Sequence, residues 1–170
     1  MPAFSLIETV LVLAIGFVLL ALGVPILSRV ADEGQAHLMA SRLTSQFMMA
    51  RRVAQLTHQT CYFEFDSDGH YTIRTEGSAD ALADESFRAE KWRLEPLVGL
   101  PHPTQSRILD EGLSSTHGQQ IRFGAQGSSS ATLVFSRNEE QAVCIVVASQ
   151  SGSFRVYLWD TRQQMWLDYF

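Results

Sequence analysis

Phe4-Ser-Leu-Ile-Glu-Thr-Val-Leu-Val-Leu-Ala-Ile-Gly-Phe-Val-Leu-Leu-Ala-Leu-Gly-Val-Pro-Ile-Leu27 is the stretch on which the reading of this chain turns. From Val10 to Leu27 it carries no charge and almost nothing polar. At about 18 residues that part is roughly the minimum for a helix to span a bilayer, and counted back to Phe4 the run reaches about 24. A cleaved secretory signal would start with basic residues and end at a small-residue cleavage site. Here the first basic residue is Arg29, beyond the run, so the segment reads as a retained membrane helix. Glu8 is the exception within it, because a carboxylate inside a membrane helix is costly and needs a partner or a function.

Outward from this run, the chain has 170 residues, enough for one modest domain and an appendage. The 46% hydrophobic content excludes a fully disordered chain, and a single apolar run excludes a polytopic membrane protein. A net charge of -5 argues against a dedicated nucleic-acid binder, which carries a basic excess. Beyond Pro25, Leu38, Met39, Leu43, Phe47, Ala50, Val53 and Ala54 recur at spacings of three and four. They predict an amphipathic helix ending near Thr57, which makes one helix of roughly 80 Å from Phe4 onward. The period then changes to two. Thr60–Phe65 and His70–Arg74 flank the turn Asp66-Ser-Asp-Gly69 as a hairpin. Further strands are predicted at Gln120–Phe123, Ala131–Phe135, Ala142–Val147, Phe154–Trp159 and Met165–Phe170, separated by turns rich in Gly, Ser, Asn and Asp. Between the two strand blocks, residues 75–116 are weakly patterned. They contain Ala79–Glu85 and the proline pair Pro101 and Pro103, and read as an irregular excursion with one helical turn and as a place for partner contacts.

Ala3-Phe4-Ser5-Leu6-Ile7-Glu8-Thr9-Val10 closely resembles the processing site of type IV prepilins and type II secretion pseudopilins. The resemblance implies that a prepilin peptidase cuts between Ala3 and Phe4 and methylates the new amino group of Phe4. It implies that Glu8 pairs with that ammonium, and that Pro25 stands where many pilin stalks carry a proline. Ala3 replaces the usual Gly, and Gly16 stands one residue before the position of the common mid-helix glycine. The fold implied is α+β and pilin-like. Residues 1–3 are a short leader, 4–27 a transmembrane and filament-core helix, 28–57 an amphipathic stalk, and 58–170 a β domain with its excursion at about 75–116. Leu43-Thr-Ser-Gln-Phe-Met-Met-Ala-Arg-Arg-Val-Ala54, Ile121-Arg-Phe-Gly-Ala-Gln-Gly127 and Cys144-Ile-Val-Val-Ala-Ser-Gln-Ser-Gly-Ser-Phe-Arg155 are similar to one branch, the GspH/FimT group. The implied role is that of a minor pseudopilin of a type II secretion system. It would sit in the bacterial inner membrane as a single-pass protein with its β domain in the periplasm. Its partners would be the peptidase and other minor and major pseudopilins. A type IV minor pilin serving pilus priming, adhesion or DNA uptake is the nearest alternative. A membrane-anchored periplasmic binding domain is the alternative from another class.

The chemistry-bearing residues point to no enzyme and no cofactor. His37, His58, His70, His102 and His117 are dispersed without metal-ligand spacing and read as exposed or turn residues. No Gly-x-Ser-x-Gly elbow, zincin helix or phosphate loop is present. Asp66-Ser-Asp-Gly69 begins like a calcium loop but lacks the later ligands, so it reads as turn chemistry. Cys61 and Cys144 both sit in apolar strands. They could close a disulfide or remain two buried thiols, and strand registry decides between the two. The C-terminal stretch 160–170 has one Arg against two Asp, which argues against DNA binding, although exposed Trp166 and Tyr169 could stack on bases.

Overall fold

The computed structural model describes residues 6–66, 69–87 and 90–169, and within the first helix it describes no side chain at 6, 9 and 22–33. Contacts divide the chain into two units, residues 1–35 and 36–170. Helix α1 (Leu6–Thr57) supplies the first unit with its N-terminal part and the second with its C-terminal part. The helix continues through position 25. It ends where the periodicity fades, at Thr57, followed by His58 in a left-handed conformation (φ 54°) that closes the last turn.

The second unit holds two antiparallel sheets. Strands β1 (Cys61–Phe65), β2 (His70–Thr75), β3 (Ala81–Ser86), β5 (Gln120–Gly124) and β6 (Gly127–Ser128) form sheet A in the order β3-β2-β1-β5-β6. Strands β4 (Leu113–Ser115), β7 (Ala131–Arg137), β8 (Gln141–Val147), β9 (Phe154–Asp160) and β10 (Met165–Asp168) form sheet B in the order β10-β9-β8-β7-β4. The period-two pattern of β1 places Cys61, Phe63 and Phe65 on the inner face, and β2 adds Tyr71 and Ile73. Leu133, Phe135, Val143, Ile145, Val156 and Leu158 line the inner face of sheet B. Met39, Ala40, Leu43, Phe47, Ala50 and Ala54 of α1 share this one core with both sheets. Of the helix residues expected inside, Leu38 instead points outward at 64% exposure, because the buried stripe is narrower than the apolar one.

The excursion is built otherwise than its sequence suggests. Residues 81–86 pair with β2 as β3, where the open edge of β2 offers ladder hydrogen bonds that outweigh the helix propensity of the alanines. Phe87 and Trp92 are buried in the main core. Gly112 lets two backbone segments meet, since a Cβ there would fall 1.8 Å from the carbonyl oxygen of Leu94. Leu100 and Leu109 pack over the outer face of sheet B with Val134, Ala142, Cys144 and Tyr157. With both faces covered, β7 and β8 are buried almost continuously rather than alternately.

Candidate functional site

Position by position, the N-terminal part of α1 is apolar around its whole circumference. Ile7, Val10 to Leu13, Ile15 and Phe17 to Leu20 are each more than half exposed, and at 100° per residue they cover every side of the helix. Glu8 is exposed on the same helix. An apolar helix in water is unstable, so this surface needs an apolar environment or partner helices. Ala3 and Phe4, the expected cleavage and methylation site, lie outside the described residues. Pro25 lies within α1, at a position whose side chain is not described. Among the described residues no helix is long and apolar enough to cross a membrane. Within the apolar run, the described side chains end at Ala21.

In the second unit the charged anchor between α1 and sheet A went unnoticed in the sequence. Arg42 donates from Nε (2.9 Å) and Nη2 (2.5 Å) to Oε2 of Glu85 on β3, and from Nη1 to Glu90 (3.1 Å). The Tyr71 hydroxyl donates to the same Glu85 oxygen at 2.8 Å, and the Arg42 guanidinium lies 4.9 Å from the centre of the Phe87 ring. The hydrogen bond from Tyr71, opposed by partial burial and helped by Arg42, holds the Glu85 carboxyl below its usual range. Burial, together with the Glu85 hydrogen bond, pushes the Tyr71 hydroxyl up. A signal was present, since Arg42 stands between the core residues Met39 and Leu43 and is aimed at the border of the buried stripe. A carboxyl depressed in the folded state stabilises the fold above its ordinary titration range. That contribution is lost as pH falls through the folded value. Glu85→Gln is therefore expected to cost about 1 kcal/mol at pH 7, a figure that allows for solvent screening of side chains roughly a third exposed. The difference should shrink as pH falls below the ordinary glutamate range, as read by urea denaturation at a series of acid pH values.

The remaining candidates fall apart in space. Cys61 (β1) belongs to the main core and Cys144 (β8) to the cluster on the outer face of sheet B, and both are buried free thiols. Pairing them is ruled out by registry. Strand alternation turns Cys144 away from the core, with Val134 directly opposite it on β7. Burial pushes both thiols up, so neither carries the thiolate character of a reactive cysteine. His102, expected as an exposed or turn residue, is only 4% exposed. Trp166 is engaged rather than free to stack on bases. Its Nε1 donates to the Pro101 carbonyl at 2.6 Å and its ring meets Trp159 edge-on, while Tyr169 lies against His37. Among the described residues no group of three or more His, Cys, Asp or Glu is placed to hold a metal.

A helix apolar all round in one unit, and serving in the other as the spine of two antiparallel sheets, defines a pilin-like structural subunit. The family model for type II transport protein GspH matches residues 39–152, and the chain belongs to that family. It is thus a type II secretion minor pseudopilin of the GspH/pilin group, and this family is a structural, non-enzymatic component of the secretion system. No curated protein and no solved structure matches the chain.

Proposed function

We propose that this protein is a minor subunit of the periplasmic pseudopilus, cut between Ala3 and Phe4 by prepilin peptidase, methylated on Phe4, and held in the inner membrane by residues 4–27 before assembly. The observation that carries the reading is the exposed, predominantly apolar N-terminal part of α1 in a chain whose remainder is a well-packed GspH domain. In the assembled filament that part packs among equivalent helices. The Glu8 carboxylate then faces the Phe4 ammonium, each relieving the cost of burying the other. The β domain meets neighbouring minor and major pseudopilins. Leu38, Met48 and Leu56, exposed along α1, supply apolar contacts for those neighbours.

The test is the amount of exoprotein in the culture medium of a deletion strain, with the restored gene as control. Cargo trapped in the periplasm is the expected result. Unchanged secretion accompanied by loss of surface pili or DNA uptake would transfer the protein to a type IV pilus. Intact mass of the mature protein checks processing separately, and a chain still beginning at Met1 would overturn the cleavage site.

A further inference from the structure

The segment 97–110 crosses the outer face of sheet B as a small hairpin of its own. Leu109 N–H donates to Leu100 O (2.8 Å) and His102 N–H to Arg107 O (2.8 Å), with Pro101 bridged to Ile108. Three links fasten it to the sheet. Leu100 and Leu109 are buried against Val134, Cys144 and Tyr157, the Trp166 indole donates to the Pro101 carbonyl, and the His102 ring meets Thr132 of β7.

The third link depends on the protonation state of the ring. The backbone N–H of Thr104 points at His102 Nδ1 at 3.1 Å, and a backbone N–H can only donate. Nδ1 is therefore the bare, accepting nitrogen. Nε2 carries the single proton and faces Thr132 Oγ1 at 3.2 Å. A second proton would have to sit on Nδ1, directly against the Thr104 N–H. The Thr104 hydroxyl oxygen, 3.3 Å from Nδ1, can accept from it, but no carboxylate among the described residues acts on the ring to offset the charge. The neighbours of Thr132 in the sheet are Ser114 on β4 and Val146 on β8, both uncharged. The charged side chain acting on the ring is Arg107, of like sign, while Asp110 and Glu111 beyond Leu109 are exposed to water. Burial first, and Arg107 second, hold the ring below its ordinary pKa.

We propose that residues 97–110 form a pH-gated strap, docked on the outer face of sheet B while His102 is neutral and released when it is protonated. The docked state binds fewer protons than the released one, so docking is fully stable above the ordinary histidine value near 6.5. It weakens as pH falls below that value and levels off once the docked ring also takes up its proton. Release uncovers the apolar face formed by Val134, Ala142, Cys144 and Tyr157. Sheet A and the core around α1 do not depend on the strap.

The two buried thiols report on the two sides of sheet B. Cys144 shares its cluster with the strap leucines, and Cys61 lies in the main core as an internal control. The full chain, in detergent micelles, is labelled with dithiodipyridine, which reacts with thiols at acid pH. The extent at each cysteine is read by peptide mass and normalised to the unfolded chain at the same pH. Between pH 7.5 and 5, labelling of Cys144 is expected to rise about tenfold for each unit separating the docked and released ring, while Cys61 stays protected. His102→Gln keeps an amide donor and acceptor but does not titrate, and it should flatten the profile. Hydrogen exchange at the Leu109 and His102 amides of the unmutated chain, corrected for intrinsic rates, should accelerate over the same pH range. Labelling of Cys144 that ignores pH, labelling of Cys61 in step with it, or an unchanged pH profile in His102→Gln would each overturn the strap.

Discussion

Glu8→Val should leave the β domain as stable as before and nearly abolish incorporation of the subunit into the pseudopilus. The core of the second unit is built from residue 36 onward, so nothing in it senses position 8, and the melting temperature should stay within about a degree. Membrane insertion should not suffer either, because Val is better placed than Glu in an apolar helix. What changes is the proposed packed state. There the Phe4 ammonium would be left among apolar helices with no counter-charge, and breaking a buried ion pair from one side costs about 3–5 kcal/mol. At 1.4 kcal/mol per factor of ten, that is a loss of roughly a hundredfold to a few thousandfold in incorporation. The readout is the fraction of subunit cross-linked into sheared filaments, alongside exoprotein in the medium. Glu8→Asp, with its charge kept at shorter reach, should fall between the two. A Glu8→Val subunit that assembled normally would refute the charge pairing.

How much of this was legible beforehand depended on whether one segment could be read without knowing its neighbours. The helix end at Thr57 was legible because the three-and-four spacing stops there, and β1, β2 and β8 because alternation or apolar runs bounded by turns survive in a single strand. Strand β3 was not, since Ala-Leu-Ala-Asp-Glu-Ser has no strand signature of its own and pairs only because β2 offers an edge. The burial of Trp92, His102 and Leu109 was hidden for a similar reason, as the excursion packs against strands far away in sequence. The Arg42–Glu85 bond joins residues 43 positions apart, so the place of Arg42 at the border of the apolar stripe marks a charge near the core but not its partner. The Cys61 and Cys144 question was closed only by registry, which fixes the face each side chain takes.

Phe47→Ala should produce the opposite signature to Glu8→Val. Phe47 is fully buried on α1, and its ring lies 4.8 Å from Phe63 on β1, 5.5 Å and edge-on to Phe123 on β5, and 5.5 Å from Phe154 on β9. One side chain therefore touches both sheets from the helix. Truncating it removes the transfer free energy of a phenyl group and leaves a cavity bounded by three separate elements. Those elements cannot all close in at once, which places the cost near the upper part of the usual range of about 3–5 kcal/mol. The aromatic contacts add to that loss, although they are not independent of it. Against a total stability on the order of 5–15 kcal/mol, this is roughly a quarter or more, and the melting temperature should fall by about 10 °C or more. Met48→Ala, one residue along on the exposed side, should change the isolated subunit by no more than about 0.5 kcal/mol. In cells the Phe47 variant should be depleted before assembly, because a larger unfolded fraction is open to proteolysis. The Glu8 variant should accumulate at normal levels and remain outside the filament. Measuring subunit abundance and incorporated fraction together thus separates the two units by what each contributes. On the proposed assembly, the β domain decides whether the subunit survives, and the apolar helix decides whether it is built in. A Phe47→Ala protein of unchanged stability would mean that the helix is not the spine on which the two sheets are packed.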